Sequence, residues 1–298
     1  MNRTVIAALA FAAAGVAHGQ EDFSKVEIST TRLTDTAYMM TGAGGNLGLS
    51  IGEDAVFLVD DQYALLTPKI VAAIARITPK PVRFVVNTHW HFDHTGGNEN
   101  LGQAGAILVA HDNVRKRMNS EQFIEFMQMK IPPSPKATLP VVTFPGAITF
   151  HLNGDEMRVI HVPRAHTDGD SIVHFVKSDV IHMGDVYFNG FYPFIDASSG
   201  GTPEGVVAAC DQVLGMASDK TRIIPGHGPL SNKAELKAYR DMLAAVTGRI
   251  RKMLDEGRKL EDITASKVSA EFDEKWGQGF IPPAKFAQMI ALAILKNR

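Results

Sequence analysis

Cysteine is almost absent from this chain, since Cys210 is the one residue of its type among 298. No intramolecular disulfide can form, so the folded state must rest on an apolar core and on any metal that the chain binds. The hydrophobic content of 45% is enough for a sizeable core. Cys210 lies in an apolar stretch with helical character, and we expect a buried structural thiol there rather than a reactive group or a ligand.

An excess of charge of one sign is also missing. The chain has 30 lysines and arginines and 32 acids, which are interspersed throughout and give a net charge of −2. A nucleic-acid partner would require a basic patch or stripe, so we expect no such partner.

A third absence is that of an apolar run long enough to span a membrane. The run at residues 5–16 has about twelve residues, short of the roughly twenty that a bilayer requires. It follows Met1-Asn2-Arg3 and precedes Ala17-His18-Gly19, which is the pattern of a secretory signal peptide. We therefore expect a signal peptide at residues 1–19, cleavage between Gly19 and Gln20, one catalytic domain over residues 20–298, and a periplasmic or secreted location.

Strand patterns followed by helix patterns occur in both halves of the chain, which indicates a mixed α/β class. Thr67-Pro68 and Thr202-Pro203 each predict a helix start with a threonine cap. Residues 118–137 interrupt the pattern with proline turns and are expected to form a flap or a short irregular helix. Strands are expected at residues 37–40, 47–51, 55–59, 82–86, 148–152, 157–162, 172–176, 180–183 and 222–224, and long helices at residues 236–253 and 283–295.

A dense group of metal-binding side chains follows the predicted strand at residues 82–86. Three imidazoles and a carboxylate occur within a few residues as His-x-His-x-Asp-His, from His89 to His94. Such side chains on a loop that leaves a strand can converge on one centre, and open α/β sheets bind ligands at this end of their strands. Imidazole nitrogen suits zinc, whereas magnesium and calcium prefer oxygen ligands.

Three further motifs follow along the chain: a histidine turn from Ala165 to Asp170, Met183-Gly184-Asp185, and Pro225-Gly226-His227-Gly228. Together with the first motif and in this order, they resemble the metallo-β-lactamase superfamily over about residues 30–255. The resemblance implies a four-layer αβ/βα sandwich, in which two mixed sheets pack face to face with helices outside. It also implies a site at one edge, between the sheets.

The resemblance further implies two zinc ions per chain, with iron or manganese as alternatives. A hydroxide held by the two ions would attack a carbonyl carbon, and Asp93 would be the catalytic residue that orients it and shuttles its proton. The implied ligands are His89, His91 and His166 for one ion, Asp93, His94 and His227 for the other, and Asp185 bridging both.

Other polar residues near these motifs have less specific patterns. Asp60 and Asp61 are candidates for hydrogen-bond support of a ligand histidine, with capping of backbone amides as an equal alternative. Asp168 and Asp170 are expected to hydrogen-bond the turn around His166. The histidines that match no motif are expected to be structural, and they are His111, His151, His161, His174 and His182.

The superfamily hydrolyses β-lactams, lactones, thioesters, phosphodiesters and sulfate esters, so the small-molecule substrate is the least determined feature. A periplasmic or secreted location favours an enzyme that opens a cyclic amide or ester, and a β-lactam is the leading prediction for its substrate. His94 combined with the acid Asp185 looks more like the lactonase and glyoxalase-II branches, so a lactonase or thioesterase-type hydrolase is the alternative. An iron-binding oxidoreductase and a metal-bound binding protein without turnover are the remaining readings.

An aromatic run without lysine follows Asp185. Tyr187, Phe191 and Tyr192 in this run are expected either to form an apolar wall for the substrate or to pack in the core.

Overall fold

Short runs of β-branched and large apolar residues, separated by glycine turns, make strands the main elements of the first half of the chain. The computed structural model describes residues 22–297, so the predicted signal peptide and its cleavage position lie outside the described residues. The strands of this half are β1 (Ser29–Arg32), β2 (Ala37–Thr41), β3 (Leu47–Ile51), β4 (Val56–Val59), β5 (Val82–Asn87), β6 (Ile107–His111), β7 (Gln122–Ile124), β8 (Met129–Ile131) and β9 (Val142–Phe144).

Seven of these strands form one mixed sheet in the order β1-β2-β3-β4-β5-β6-β9. Strands β1 to β4 are antiparallel, and β4, β5, β6 and β9 run parallel to one another. Strands β7 and β8 form a separate hairpin closed by a short 3-10 turn at Glu125–Met127. The expected flap at residues 118–137 is therefore largely this hairpin.

The second half forms a six-stranded sheet whose strands lie in chain order. All pairs are antiparallel except β13 and β14, which are parallel. Asn153 and Gly154 both have positive φ, at 57° and 69°, and form the tight turn of the first hairpin. The strands are β10 (Ala147–Leu152), β11 (Asp155–His161), β12 (Ser171–Phe175), β13 (Val180–His182), β14 (Arg222–Ile224) and β15 (Ser231–Asn232).

The helices lie outside the two sheets. Thr202 caps its helix by accepting a hydrogen bond from the Gly205 amide, as predicted. Thr67 does not cap its helix, because it is already the first helical residue, and its hydroxyl instead accepts from Asn100. The helices are α1 (Thr67–Ala75), α2 (Phe92–Thr95), α3 (Asn98–Gln103), α4 (Asp112–Met118), α5 (Pro203–Met216), α6 (Lys233–Asp255), α7 (Leu260–Ala265), α8 (Asp273–Trp276) and α9 (Pro283–Lys296). Among residues 22–297, no helix has the length and apolarity needed to cross a bilayer.

Three apolar clusters define the layers. The inner cluster lies between the sheets, where Phe57 of β4 contacts Phe150 and Phe175 of the second sheet edge to face. A second cluster joins the outer face of the first sheet to α1 and α3, and a third joins the second sheet to α5, α6 and α9. Strand β4 is buried on both faces, which explains its continuous apolar sequence. The predicted four-layer αβ/βα sandwich is thus confirmed.

Candidate metal centre

The His-x-His-x-Asp-His motif begins where β5 ends and continues into the short helix α2. His89 follows the strand directly, and His91 is the extended residue that precedes the first turn of α2. Asp93 and His94 then lie within this helix, so their side chains turn back toward the two preceding histidines. His166, Asp185 and His227 come from loops of the second half that meet the same sheet edge, at the carboxyl ends of β13 and β14 or just before β12.

One group of donor atoms is formed by His89, His91 and His166. His166 Nδ1 donates to the Phe194 carbonyl at 2.8 Å, which leaves its Nε2 2.9 Å from His91 Nδ1. His89 Nε2 is buried without a hydrogen-bond partner. These three side chains are at most 5% exposed. We call these three residues the first triad. Each presents a ring nitrogen that faces the others rather than a hydrogen-bond partner elsewhere in the protein.

A second triad of Asp93, His94 and His227 lies beside the first. His94 Nε2 is 3.4 Å from His227 Nε2, and Asp93 Oδ2 is 3.3 Å from His227 Nε2. His94 is fully buried, whereas the side chains of His227 and Asp93 are 25% and 18% exposed. The second triad is thus the more accessible of the two.

Asp185 lies between the triads with one oxygen toward each. Its Oδ2 is 3.8 Å from His89 Nε2 and 3.6 Å from His166 Nε2. Its Oδ1 is 3.0 Å from His94 Nε2 and 3.4 Å from His227 Nε2. This is the arrangement of a carboxylate that can bridge two ions.

The donor set fits metal ions. Zinc bonds of 2.0–2.1 Å in a tetrahedron place ligand atoms about 3.3 Å apart, and within each triad the donor atoms lie within 4.8 Å of one another. The orphaned His89 Nε2 would otherwise be a buried polar atom without a partner. The structure therefore brings all seven predicted ligands together as a cluster that could bind metal, and we call it the seven-residue cluster.

The two triads differ in protonation. Burial lowers the pKa of His166 to about 4, and burial with the charge on His94 holds the pKa of His89 well below its usual range. Burial would also lower the pKa of His227, but the carboxylates of Asp185 and Asp93 raise it to about 9. His89 and His166 are thus neutral, ligand-competent imidazoles, whereas a cation that enters the second triad must displace the proton of His227.

Asp60 orients two of the ligand histidines. Its Oδ2 accepts from His94 Nδ1 at 2.8 Å and from the Thr88 hydroxyl at 2.7 Å, and that hydroxyl lies 3.1 Å from His89 Nδ1. Asp61 instead accepts from the Gly97 amide at 2.8 Å. The two roles considered for this pair are therefore divided, with Asp60 supporting ligand histidines and Asp61 capping backbone.

Asp196 is a supporting residue that the sequence did not indicate. Its Oδ2 lies 3.2 Å from His91 Nε2, which directs His91 Nδ1 toward the first triad. Its Oδ1 also accepts from the Ser198 and Ser199 amides. Because 105 residues separate Asp196 from His91, no local pattern could have revealed the contact.

Two glycines permit the close packing around the cluster. A Cβ on Gly45 would lie 2.1 Å from the His94 ring, and one on Gly226 would lie 2.1 Å from Asp185 Oδ1. Any side chain at these positions would displace a metal-binding group.

Most of the residues that the sequence predicts to be structural have structural contacts. Asp170 accepts from the amide and hydroxyl of Thr167, which holds the His166 turn. Asp168 instead pairs through both oxygens with Arg117, at 2.7 and 2.8 Å. The remaining histidines lie outside the seven-residue cluster, and Cys210 is a buried free thiol.

A family model described as the metallo-beta-lactamase superfamily matches residues 44–270. The chain belongs to this superfamily. Hydroxyacylglutathione hydrolase of Polaromonas sp. is 25% identical over 203 residues, which cover 67% of this chain and 70% of that protein. Acyl-coenzyme A thioesterase MBLAC2 of Bos taurus is 23% identical over 158 residues, 48% of this chain and 54% of that protein.

Solved structures of the superfamily show the same fold. The metallo-beta-lactamase from Pontibacter korlensis has a TM-score of 0.60 at 17% identity, covering 73% of this chain and 99% of that one. The stereoselective inverting sec-alkylsulfatase Pisa1 from Pseudomonas sp. has a TM-score of 0.66 at 17% identity, covering 91% of this chain and 51% of that one. At this identity the likeness concerns the fold alone.

A cavity of about 260 Å³ opens beside the seven-residue cluster of this superfamily member. The aromatic residues around it are not the three that the sequence suggested. Tyr187 and Tyr192 are fully buried in the core, and their hydroxyls bond Ser231 and Asp273. Phe191 is partly buried against the same core. The residues that line the cavity are Tyr63, His91, Phe92, Asp93, Ile124, Met127, Asp185, Phe188, Phe194, His227 and Phe280.

The prediction that Tyr187, Phe191 and Tyr192 form a wall for the substrate is therefore wrong. The alternative, that these residues pack in the core, agrees with the structure. The physical reason is that this segment contains a short 3-10 turn at Gly184–Val186 and bends rather than continuing as a strand. Without a regular period, the sequence could not show which aromatic rings turn inward.

Proposed function

We propose that this protein is a metal-dependent hydrolase that cleaves a thioester or a related carboxylic ester, lactones included, with two zinc ions at the seven-residue cluster. The observation that carries the two-ion proposal is Asp185, whose two oxygens face separate triads. A single-ion site would leave one triad of buried or half-buried donors without a function.

The chemistry follows from the donor set. Bound zinc ions lower the pKa of water and polarise a carbonyl oxygen. Asp93 lines the cavity and, with its side chain 18% exposed, is more accessible than Asp185 at 6%, so it is placed to orient a water molecule and accept its proton. Burial raises the pKa of Asp93, but His94 and His227 outweigh this effect and lower it to about 2, so the carboxylate is ionised at neutral pH.

The choice of a thioester or ester is supported by two observations. The relatives with sequence similarity are named as hydrolases of acyl thioesters, a hydroxyacylglutathione hydrolase and an acyl-coenzyme A thioesterase. The described residues that line the cavity include no lysine or arginine that could hold a β-lactam carboxylate. The β-lactam prediction is supported by the fold alone, since the solved metallo-β-lactamase is 17% identical.

The test is hydrolysis by zinc-loaded protein of an acylglutathione, an acyl-coenzyme A, a lactone, a p-nitrophenyl ester and a chromogenic cephalosporin, each with and without chelator. We expect chelator-sensitive cleavage of acyl compounds that exceeds cleavage of the cephalosporin. Turnover of the cephalosporin alone would restore the β-lactam prediction. Oxygen consumption by iron-loaded protein, without hydrolysis, would support the oxidoreductase reading instead.

The proposal includes export, with cleavage between Gly19 and Gln20. Its support is the short apolar run after a basic start, which matches a signal peptide. Fractionation of a Gram-negative host that produces the full chain, followed by N-terminal sequencing, tests this point. Protein that keeps Met1 and stays in the cytoplasm would contradict it.

A further inference from the structure

Apolar side chains surround the mouth of the cavity, and several of them are unusually exposed. Phe92, Met127 and Phe280 are 42%, 43% and 62% exposed, although each lines the cavity. Clustered exposed apolar side chains beside a cavity indicate a binding surface, whereas single ones scattered over a protein need no explanation. Ile124 and Phe194 continue the apolar wall inward.

Charge in the cavity is confined to its floor. The ionisable groups among the lining residues, apart from the Tyr63 phenol, are His91, Asp93, Asp185 and His227, all members of the seven-residue cluster. The described part of the wall above them offers no cation to a substrate. A carboxylate placed against this wall would lose its hydration without gaining a partner, which is costly.

The wall on one side of the cavity is held by stacked rings. Phe188 stacks on His227 with ring centroids 5.2 Å apart and planes 13° apart, and Phe280 lies 6.5 Å from Phe188. A Cβ on Gly279 would come within 2.8 Å of Phe191, so the segment that carries Phe280 packs closely on that ring. Phe191 thus supports the wall from behind.

The opposite wall is the β7–β8 hairpin, which supplies Ile124 and Met127. Its turn is tethered at Glu125, whose amide donates to Ser198 Oγ at 3.2 Å and whose carboxylate accepts from Lys296 at 2.7 Å. Both walls are therefore in place before a substrate arrives, and little ordering entropy opposes its binding.

We infer that the cavity is a subsite for the acyl part of the substrate and selects an uncharged apolar chain. Phe280 and Met127 are its specificity-determining residues. At roughly 30 Å³ per water-sized group, the volume of about 260 Å³ holds about nine such groups, enough for a six-carbon acyl group with its carbonyl oxygen and the attacking water. This inference rests on the proposed function, because it takes the substrate to be an acyl compound.

The test uses zinc-loaded protein and p-nitrophenyl esters of acetic, butyric, hexanoic and octanoic acids, with the adipic monoester as a charged match for hexanoate. Each buried methylene is worth about 0.8 kcal/mol, so kcat/KM should rise about fourfold per methylene to hexanoyl and then level off. The adipic monoester should be cleaved at least about tenfold more slowly than the hexanoyl ester, because its carboxylate meets the apolar rim.

The variants Phe280→Ala and Met127→Ala should each lower the hexanoyl-to-acetyl ratio of kcat/KM by about fivefold, because the alkyl chain loses apolar contact. Phe123→Ala is the matched control, since Phe123 is 48% exposed on the same hairpin but is not among the residues that line the cavity. It should leave the ratio unchanged.

Calorimetric binding of 2-octanone, an uncharged ketone that cannot be hydrolysed, gives a readout that does not require turnover. We expect binding to the parent protein and weaker binding to Phe280→Ala. If no ester is cleaved but the ketone binds in this way, the proposed function fails and the apolar subsite stands. If esters are cleaved with no preference for chain length, or if the adipic monoester is preferred, the subsite inference is overturned and the proposed function stands.

Discussion

Replacement of Asp60 by asparagine should weaken metal binding at the second triad by changing which nitrogen of His94 carries the proton. Asp60 is fully buried and accepts hydrogen bonds from the Thr88 amide, the Thr88 hydroxyl and His94 Nδ1, all at 2.7–2.8 Å. An asparagine amide in the place of Oδ2 would donate to His94 Nδ1. The His94 proton would then move to Nε2, which is the atom that faces Asp185 and the centre.

The expected size of this effect follows from the role of such supporting carboxylates. Loss of a hydrogen bond that orients a ligand histidine lowers metal affinity by about 10- to 100-fold, or about 1.4 to 2.7 kcal/mol. The measurement is the zinc dissociation constant of the second ion, obtained by competition with a chromogenic chelator. Thermal unfolding of the metal-free variant shows whether the fold itself is retained.

Asp61→Asn is the matched control for this experiment. Asp61 is adjacent in sequence and equally buried, but its carboxylate accepts from the Gly97 amide rather than from a histidine ring. Its backbone amide donates to the His94 carbonyl, and the substitution keeps this bond. Burial disfavours the charged form of its carboxyl and holds its pKa well above the usual range. Equal loss of zinc affinity in the two variants, or full affinity in Asp60→Asn, would refute the reasoning.

Three other outcomes can be measured on the same protein. Gly226→Ala should lower the zinc affinity by at least about tenfold, because the added Cβ would lie 2.1 Å from Asp185 Oδ1. Gly248→Ala is the control and should bind zinc normally, because a Cβ at that position meets open space. Burial lowers the pKa of His227, but Asp185 and Asp93 outweigh this effect and raise the pKa from 6.5 to about 9. The stability that His227 gives the metal-free protein is therefore complete below pH 6.5 and is lost as the pH rises through 9. The melting temperature of metal-free protein should therefore fall over this window, and a flat profile would contradict the assignment. Removal of zinc by chelator should lower the free energy of unfolding by about 2.7 kcal/mol relative to protein at a free zinc concentration 100 times the dissociation constant, and equal melting curves would show that the cluster binds no zinc.

The members of the seven-residue cluster could be predicted from the sequence because the resemblance that implies them rests on motifs that are marked locally. Three histidines and an acid in one short loop have few other uses, and His227 lies within a distinct glycine-flanked motif. The strands were predictable for a similar reason, since burial on both faces of β4 requires a continuous apolar run. These features depend on residues that are close neighbours in the chain.

The cavity walls could not be predicted in the same way, because they depend on contacts between remote segments. Met127 and Phe280 belong to a hairpin and a loop that meet only in the folded protein. Tyr192 and Phe194 are two residues apart, yet one is buried in the core and the other lines the cavity. Asp196 was missed because its hydrogen bond to His91 spans 105 residues.

Each triad takes ligands from both halves of the chain, and this division has a consequence for how the protein unfolds. The first triad joins His91 to His166 across 75 residues, and the second joins His94 to His227 across 133 residues. The first half alone supplies two side chains to each ion, so neither sheet can hold a metal tightly without the other. Bound metal should therefore act as a non-covalent cross-link that makes the two sheets unfold as one cooperative unit. In its absence, hydrogen exchange should reveal that one sheet opens before the other.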